Sequence, residues 1–65
     1  MPYARNDALP ESVRAHLPDH AQDIFREAFN HALTEYEDEQ RAFRVAWAAV
    51  KHRYEKGPDG TWVEK

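Results

Sequence analysis

A chain of 65 residues with a net charge of −3 and no cysteine makes one domain at most, and one short of core. At this size only ~60% of the unfolded surface can be buried. Disulfides and thiolate metal sites are excluded. The opening "MPYARNDALPE" lacks the apolar run of a signal peptide, and no stretch reaches membrane-spanning length, so residues 1–65 are expected to form one cytoplasmic domain.

In chain order, Leu9-Pro10-Glu11 opens a short helix. Pro10 suits a first turn and Glu11 meets the positive end of the helix dipole. "ESVRAHL" is closed by Pro18, which cannot continue it. Asp19 is placed to cap the next helix, with Gln22 three residues on as its capping-box partner. Along this second helix Ala21, Ile24, Phe25, Ala28, Phe29, Ala32, Leu33 and Tyr36 recur at the spacing of one helical face. Asp23, Arg26, Glu27, Asn30 and Thr34 lie opposite and read as a solvated side.

The third helix carries Phe43, Trp47, Val50 and Tyr54 in nearly the same phase. One rod over residues 20–56 would leave that aromatic stripe in water, which disfavours it. The acidic run "EYEDEQ" is where the chain is expected to turn, with Asp38 as the cap of the third helix. Val45, Ala46 and Ala49 widen the apolar arc to about half the circumference, so Val45 and Ala49 are candidates for an apolar partner surface. Lys56 and Gly57 suit a helix end. "GPDG" has the residue order of a type I turn, and the β-prone "TWV" needs a strand partner for its backbone. The extended N-terminal "PYA" is the expected partner, with Tyr3 beside Trp62. The architecture is therefore mainly α: a compact three-helix mini-domain with a very small two-stranded β pairing between the N- and C-termini. Phe25, Phe29, Trp47, Val50, Tyr54 and Trp62 are its expected core.

Charge is unevenly distributed. Residues 1–39 carry −6, residues 40–56 carry +4 and the last nine carry −1. The switch reads either as two helices of opposite charge or as a partner site. Arg41, Arg44, Lys51, His52 and Lys56 are the candidate contacts for a partner or for nucleic acid. They could neutralise a few phosphates in a salt-sensitive, mostly nonspecific manner. Against duplex DNA stand the acidic total and the placement of Asp23 and Glu27 on the second helix.

Catalytic and metal chemistry find little support. Ser12 has no evident base, and no glycine-rich phosphate loop is present. His16 and His20 have metal-ligand spacing, but Pro18 lies between them. His31 with Glu27 and Glu35 reads as surface charge pairing. The acidic run at 35–39 lacks the alternating ligands and glycine of a calcium loop. No catalytic residue, metal or cofactor is expected.

The segments "LPESVRAHLPDHAQDIFREAFNHAL" and "RVAWAAVKHRYEKG", in a chain that begins "MPY", resemble the ChaB family of small bacterial proteins over nearly the whole length. The sequence departs from the family near residues 37–40, where some relatives carry a longer charged insertion. The resemblance implies a compact α-helical domain with a very small sheet near the termini. It also implies regulation of a sodium/calcium–proton antiporter, hence a protein partner. Relatives from insect viruses have been linked to DNA binding, which makes nucleic acid the alternative partner. No agreed catalytic residue or cofactor comes with the family.

Overall fold

In a computed structural model describing residues 2–65, the chain forms a 3-10 turn (Asn6–Ala8) and three helices, α1 (Glu11–Arg14), α2 (Asp19–Tyr36) and α3 (Glu39–Arg53). Strands β1 (Tyr54–Lys56) and β2 (Trp62–Glu64) follow as an antiparallel hairpin. Three helices and one two-stranded pair are the expected inventory.

The long helices break at the acidic run. Glu37 adopts a left-handed conformation (φ 54°), and its backbone N–H donates to the carbonyl of Leu33. The Asp38 side chain then accepts from the backbone N–H groups of Gln40 and Arg41, at 3.0 and 3.4 Å. A left-handed end followed at once by an N-cap reverses the chain without glycine or proline.

Antiparallel α2 and α3 meet through rings on one side and alanines on the other. Phe25 and Phe29 are fully buried. Phe43 lies 6.0 Å from Phe25 and 4.8 Å from Phe29 between ring centroids, and Trp47 stands edge-on to Phe25 at 5.0 Å. On α3 itself the driest line is Ala42, Ala46 and Val50, all at 0% exposure, while Phe43 and Trp47 are only partly buried beside it. Small residues occupy the line of closest approach because two bulky stripes cannot share it. Leu9, Val13 and Leu17 close the core from the N-terminal side, and Tyr54 does so from β1.

Five local expectations are corrected. The strand partner of Trp62–Glu64 is Tyr54–Lys56, not the N-terminal segment. Tyr54 leaves the helix (φ −128°, ψ 156°), so the third helix stops three residues short of Lys56. Gly57 makes this hairpin possible, because an added Cβ would sit 2.9 Å from the Thr61 carbonyl oxygen. Its N–H donates to that oxygen at 2.8 Å, and Gly60 closes the turn onto the Gly57 carbonyl. A four-residue turn next to β-prone residues joins its own flanks at a smaller entropic cost than pairing ends some 60 residues apart.

Tyr3 correspondingly packs on Phe29 at 4.9 Å rather than beside Trp62. The N-terminal segment covers the polar side of α2. Tyr3 and Asn30 exchange two hydrogen bonds of 2.8 and 2.7 Å, and Asn6 bridges Asp23 and Arg26. The side read as solvated is thus a seat for the preceding chain. Lastly, Asp19 is the first residue of α2 and Pro18 its N-cap, with no side-chain cap. Gln22 is buried and donates instead to the carbonyls of Leu17 (2.8 Å) and Arg14 (3.4 Å). It terminates α1 rather than starting α2.

Truncating Phe25 to Ala is expected to cost about 3–5 kcal/mol, which for a domain of this size means loss of the cooperative transition in thermal circular dichroism. Glu37→Gly is expected to stabilise by about 0.5–1 kcal/mol, since relief of the left-handed backbone outweighs glycine's extra unfolded entropy. A shift of the urea midpoint to higher concentration checks it.

Candidate functional site

A groove of about 530 Å³, open to solvent, lies where α1, α3 and the hairpin converge. The first helical segment contributes Ser12 and His16, α3 contributes Arg44, Ala48 and Lys51, and the hairpin contributes Lys56, while Trp47 and Trp62, partly buried where the other lining residues are exposed, form the floor. Spacings of four and seven residues from Arg44 put Ala48 and Lys51 on one helical face, with Trp47 between them on its inner edge. The exposed Ala48 methyl leaves that face low in the middle.

The hairpin supplies the rest through its pleat. Lys56 and Trp62 are a cross-strand pair, so both side chains fall on the same face of the sheet as the buried Tyr54. Glu55 and Val63 form the other pair and face away, both exposed. Trp62 is further tied to the end of α1, its backbone N–H donating to the His16 carbonyl at 3.1 Å. Its ring stands 5.6 Å from that of Trp47, tilted by 33°. Both indoles are half-buried. His16 is itself oriented, Nδ1 lying 2.7 Å from the Ser12 carbonyl. A carbonyl oxygen only accepts, so Nδ1 carries the hydrogen and Nε2 is the remaining ring nitrogen.

Of the candidate contacts, Arg44, Lys51 and Lys56 line the groove. Arg41 does not. Its guanidinium lies over the Tyr36 ring at 4.6 Å, a cation–π contact at the far end of α3. His52 belongs to a shallower depression with Ala48, Lys51 and Lys65. Val45, 37% exposed, and the half-buried Ala49 lie on the neighbouring face of α3 and do not border the groove. Among the described residues, none of Arg44, Lys51 and Lys56 takes part in an ion pair; the pairs join Arg5 to Asp7, Arg26 to Asp23 and His31 to Glu35. Among the same residues no three His, Asp or Glu side chains converge as a metal site requires. Among the described residues no helix is long and apolar enough to cross a membrane.

Of the residues expected to be core, Phe25, Phe29, Val50 and Tyr54 are buried, and Trp47 and Trp62 are partly buried, packed against that core and forming the groove floor. Ser12 and His16, weighed only for catalysis and metal binding, and Ala48 were not among the candidate partner contacts. For Ala48 the signal was available, as the residue between Arg44 and Lys51 on one face. For Ser12 and His16 it was not, because only packing brings α1 beside α3.

Burial raises the phenol pKa of Tyr54, the Glu64 carboxylate opposite it in the sheet raises it further, and Arg53 lowers it. Tyr3 is also raised, by burial and then by Glu39.

These features define a class: a small helical protein with a cationic, tryptophan-floored groove roofed on one side by a terminal hairpin. The ChaB family model matches residues 9–65. Curated proteins from Escherichia coli K12 and Shigella flexneri, both named "Putative cation transport regulator ChaB", are 51% identical to it, covering all of this chain and 99% of theirs. The NMR solution structure of a protein of that name superposes with a TM-score of 0.89 at 50% identity, covering 98% of this chain and 99% of the other. The chain belongs to the ChaB family.

An unfolded tyrosine ionises near pH ~10. Folded values held above that keep the two phenolic protons on where the unfolded chain releases them. Their contribution to stability is complete below pH ~10 and is lost as pH rises through the folded values. Phenolate absorbance should show two late-titrating tyrosines, and the urea midpoint should fall across the same interval.

Proposed function

We propose that this chain is a non-enzymatic regulatory protein of cation transport, acting in the cytoplasm by seating a protein partner in the groove. One observation carries this reading. Two partly buried tryptophans lie side by side in one groove with three cations that are in no ion pair among the described residues. Indole and guanidinium groups are the side chains most often found at the energetic centre of protein interfaces. The process comes from the relatives' name, which attaches family members to cation transport. A sodium/calcium–proton antiporter, through its cytoplasmic surface or its own regulators, is the partner this reading assigns.

Arg44, Lys51 and Lys56 are the primary contacts in this proposal, with His52 at the margin. Val45 and Ala49 are a secondary apolar contact on the adjoining face, and Arg41 serves mainly to hold the α2–α3 corner. That divergence favours a compact partner over duplex DNA, which needs a continuous basic track. The absence of thiols suits a reducing compartment. Residues 1–65 act as one domain in this reading, with Leu9 and Tyr54 contributing to one core.

Everted membrane vesicles from cells lacking the gene expose the cytoplasmic face of their transporters and provide the test. Added protein is expected to change the rate of sodium- or calcium-driven proton exchange severalfold, and the Arg44→Glu/Lys51→Glu double variant is expected to lose the effect. An exchange rate indifferent to the wild-type protein would refute the assignment to transport.

A further inference from the structure

We infer that the groove between Trp47 and Trp62 binds a short acidic peptide segment that carries one aromatic or large aliphatic anchor residue. This rests on the reading of the groove as a protein-docking site and adds the chemistry of what docks there.

The floor determines the anchor. The two indoles are tilted by 33° with centroids 5.6 Å apart, and Trp47 is braced from below by the edge-on contact with Phe25. A rigid apolar floor of this kind gains from a ring laid on it, by area and by offset or edge-on ring geometry. A space of about 530 Å³ lies within the range of compact ligand pockets. It holds one large side chain and its flanking backbone, not an extended strand of nucleic acid.

The rim determines the charge. Arg44 and Lys51 from α3 and Lys56 from the hairpin line the groove, so carboxylates on residues flanking the anchor meet cations from two elements. Lys51 also lines the second depression, where Lys65 adds a further positive charge. The chain as a whole is acidic, residues 1–39 carrying −6, so the positive lining is a local feature. Three cations in a groove this short favour a brief acidic peptide over a longer single-stranded nucleic acid.

Both tryptophans of the chain lie in this floor, so intrinsic fluorescence reads the site directly. The probe is a capped heptapeptide with a central phenylalanine flanked by aspartates. Controls are the same peptide with alanine for phenylalanine, with lysines for aspartates, and a thymidine octanucleotide. The acidic aromatic peptide is expected to shift tryptophan emission saturably and to bind less tightly as salt rises through the range where the screening length drops below ~10 Å. Losing the phenylalanine, or reversing charge with Arg44→Glu/Lys51→Glu, should each weaken binding by about tenfold or more. Unchanged far-ultraviolet circular dichroism verifies that the variant folds.

Three results would overturn the inference: no saturable shift at low salt, equal binding of the lysine peptide, or tighter binding of the octanucleotide. A concentration-dependent emission shift without ligand, matched by dimer in sedimentation, would assign the groove to a second copy and overturn it as well. Its fate is separable from that of the transport reading. Vesicles that respond to the protein while no acidic peptide binds would leave regulation standing and sink this chemistry. Peptide binding without any effect on exchange would do the reverse.

Discussion

The structure depends on the contact between Phe25 and Phe29 of α2 and the alanine line Ala42–Ala46 of α3. A chain this short cannot bury enough aliphatic surface to offset its conformational entropy. It concentrates its apolar area in rings, and rings pack densely only if the facing helix yields space. Alanines at the closest approach yield it, and Phe43 and Trp47 flank that line at centroid distances of 4.8 to 6.0 Å from the α2 rings. Everything at the site is built on this contact. Trp47 is only partly buried because Ala46, not Trp47, occupies the driest line.

The terminal hairpin turns that partly buried indole into the floor of a groove. β1 and β2 have three residues each, too few to persist alone in water. They are held by the burial of Tyr54 and by the hydrogen bond from Trp62 to the end of α1. The same bond sets Trp62 beside Trp47. Stability and site geometry therefore share their parts, and the groove is only as ordered as the hairpin's attachment to His16.

Electrostatics divides the molecule functionally. The acidic N-terminal part spends some of its charge internally, with Asp23 held by Asn6 and Arg26. Arg41 is engaged by Tyr36. Arg44, Lys51 and Lys56 are left around the tryptophans with no ion pair among the described residues. Among the described residues no ion pair joins α2 to α3 across the sign switch near residue 40, and three of the cations beyond it line the groove.

Much of this frame was legible in the linear chain. Helical periodicity, Pro18, the Asp38 cap and the "GPDG" turn are local signals, acting over four residues or one helical turn, and they located three helices and a terminal strand. What depended on long-range packing was not legible: which strand Trp62 joins, where the N-terminal segment lies, what Gln22 caps, and which stripe of α3 is driest. Each turns on a competition between distant partners that local spacing does not encode. By itself the sequence determined the elements and the residues able to carry charge or rings. The tertiary structure decided which of them meet, because only packing around Phe25 and Phe29 brings α1, α3 and the hairpin together to form the groove.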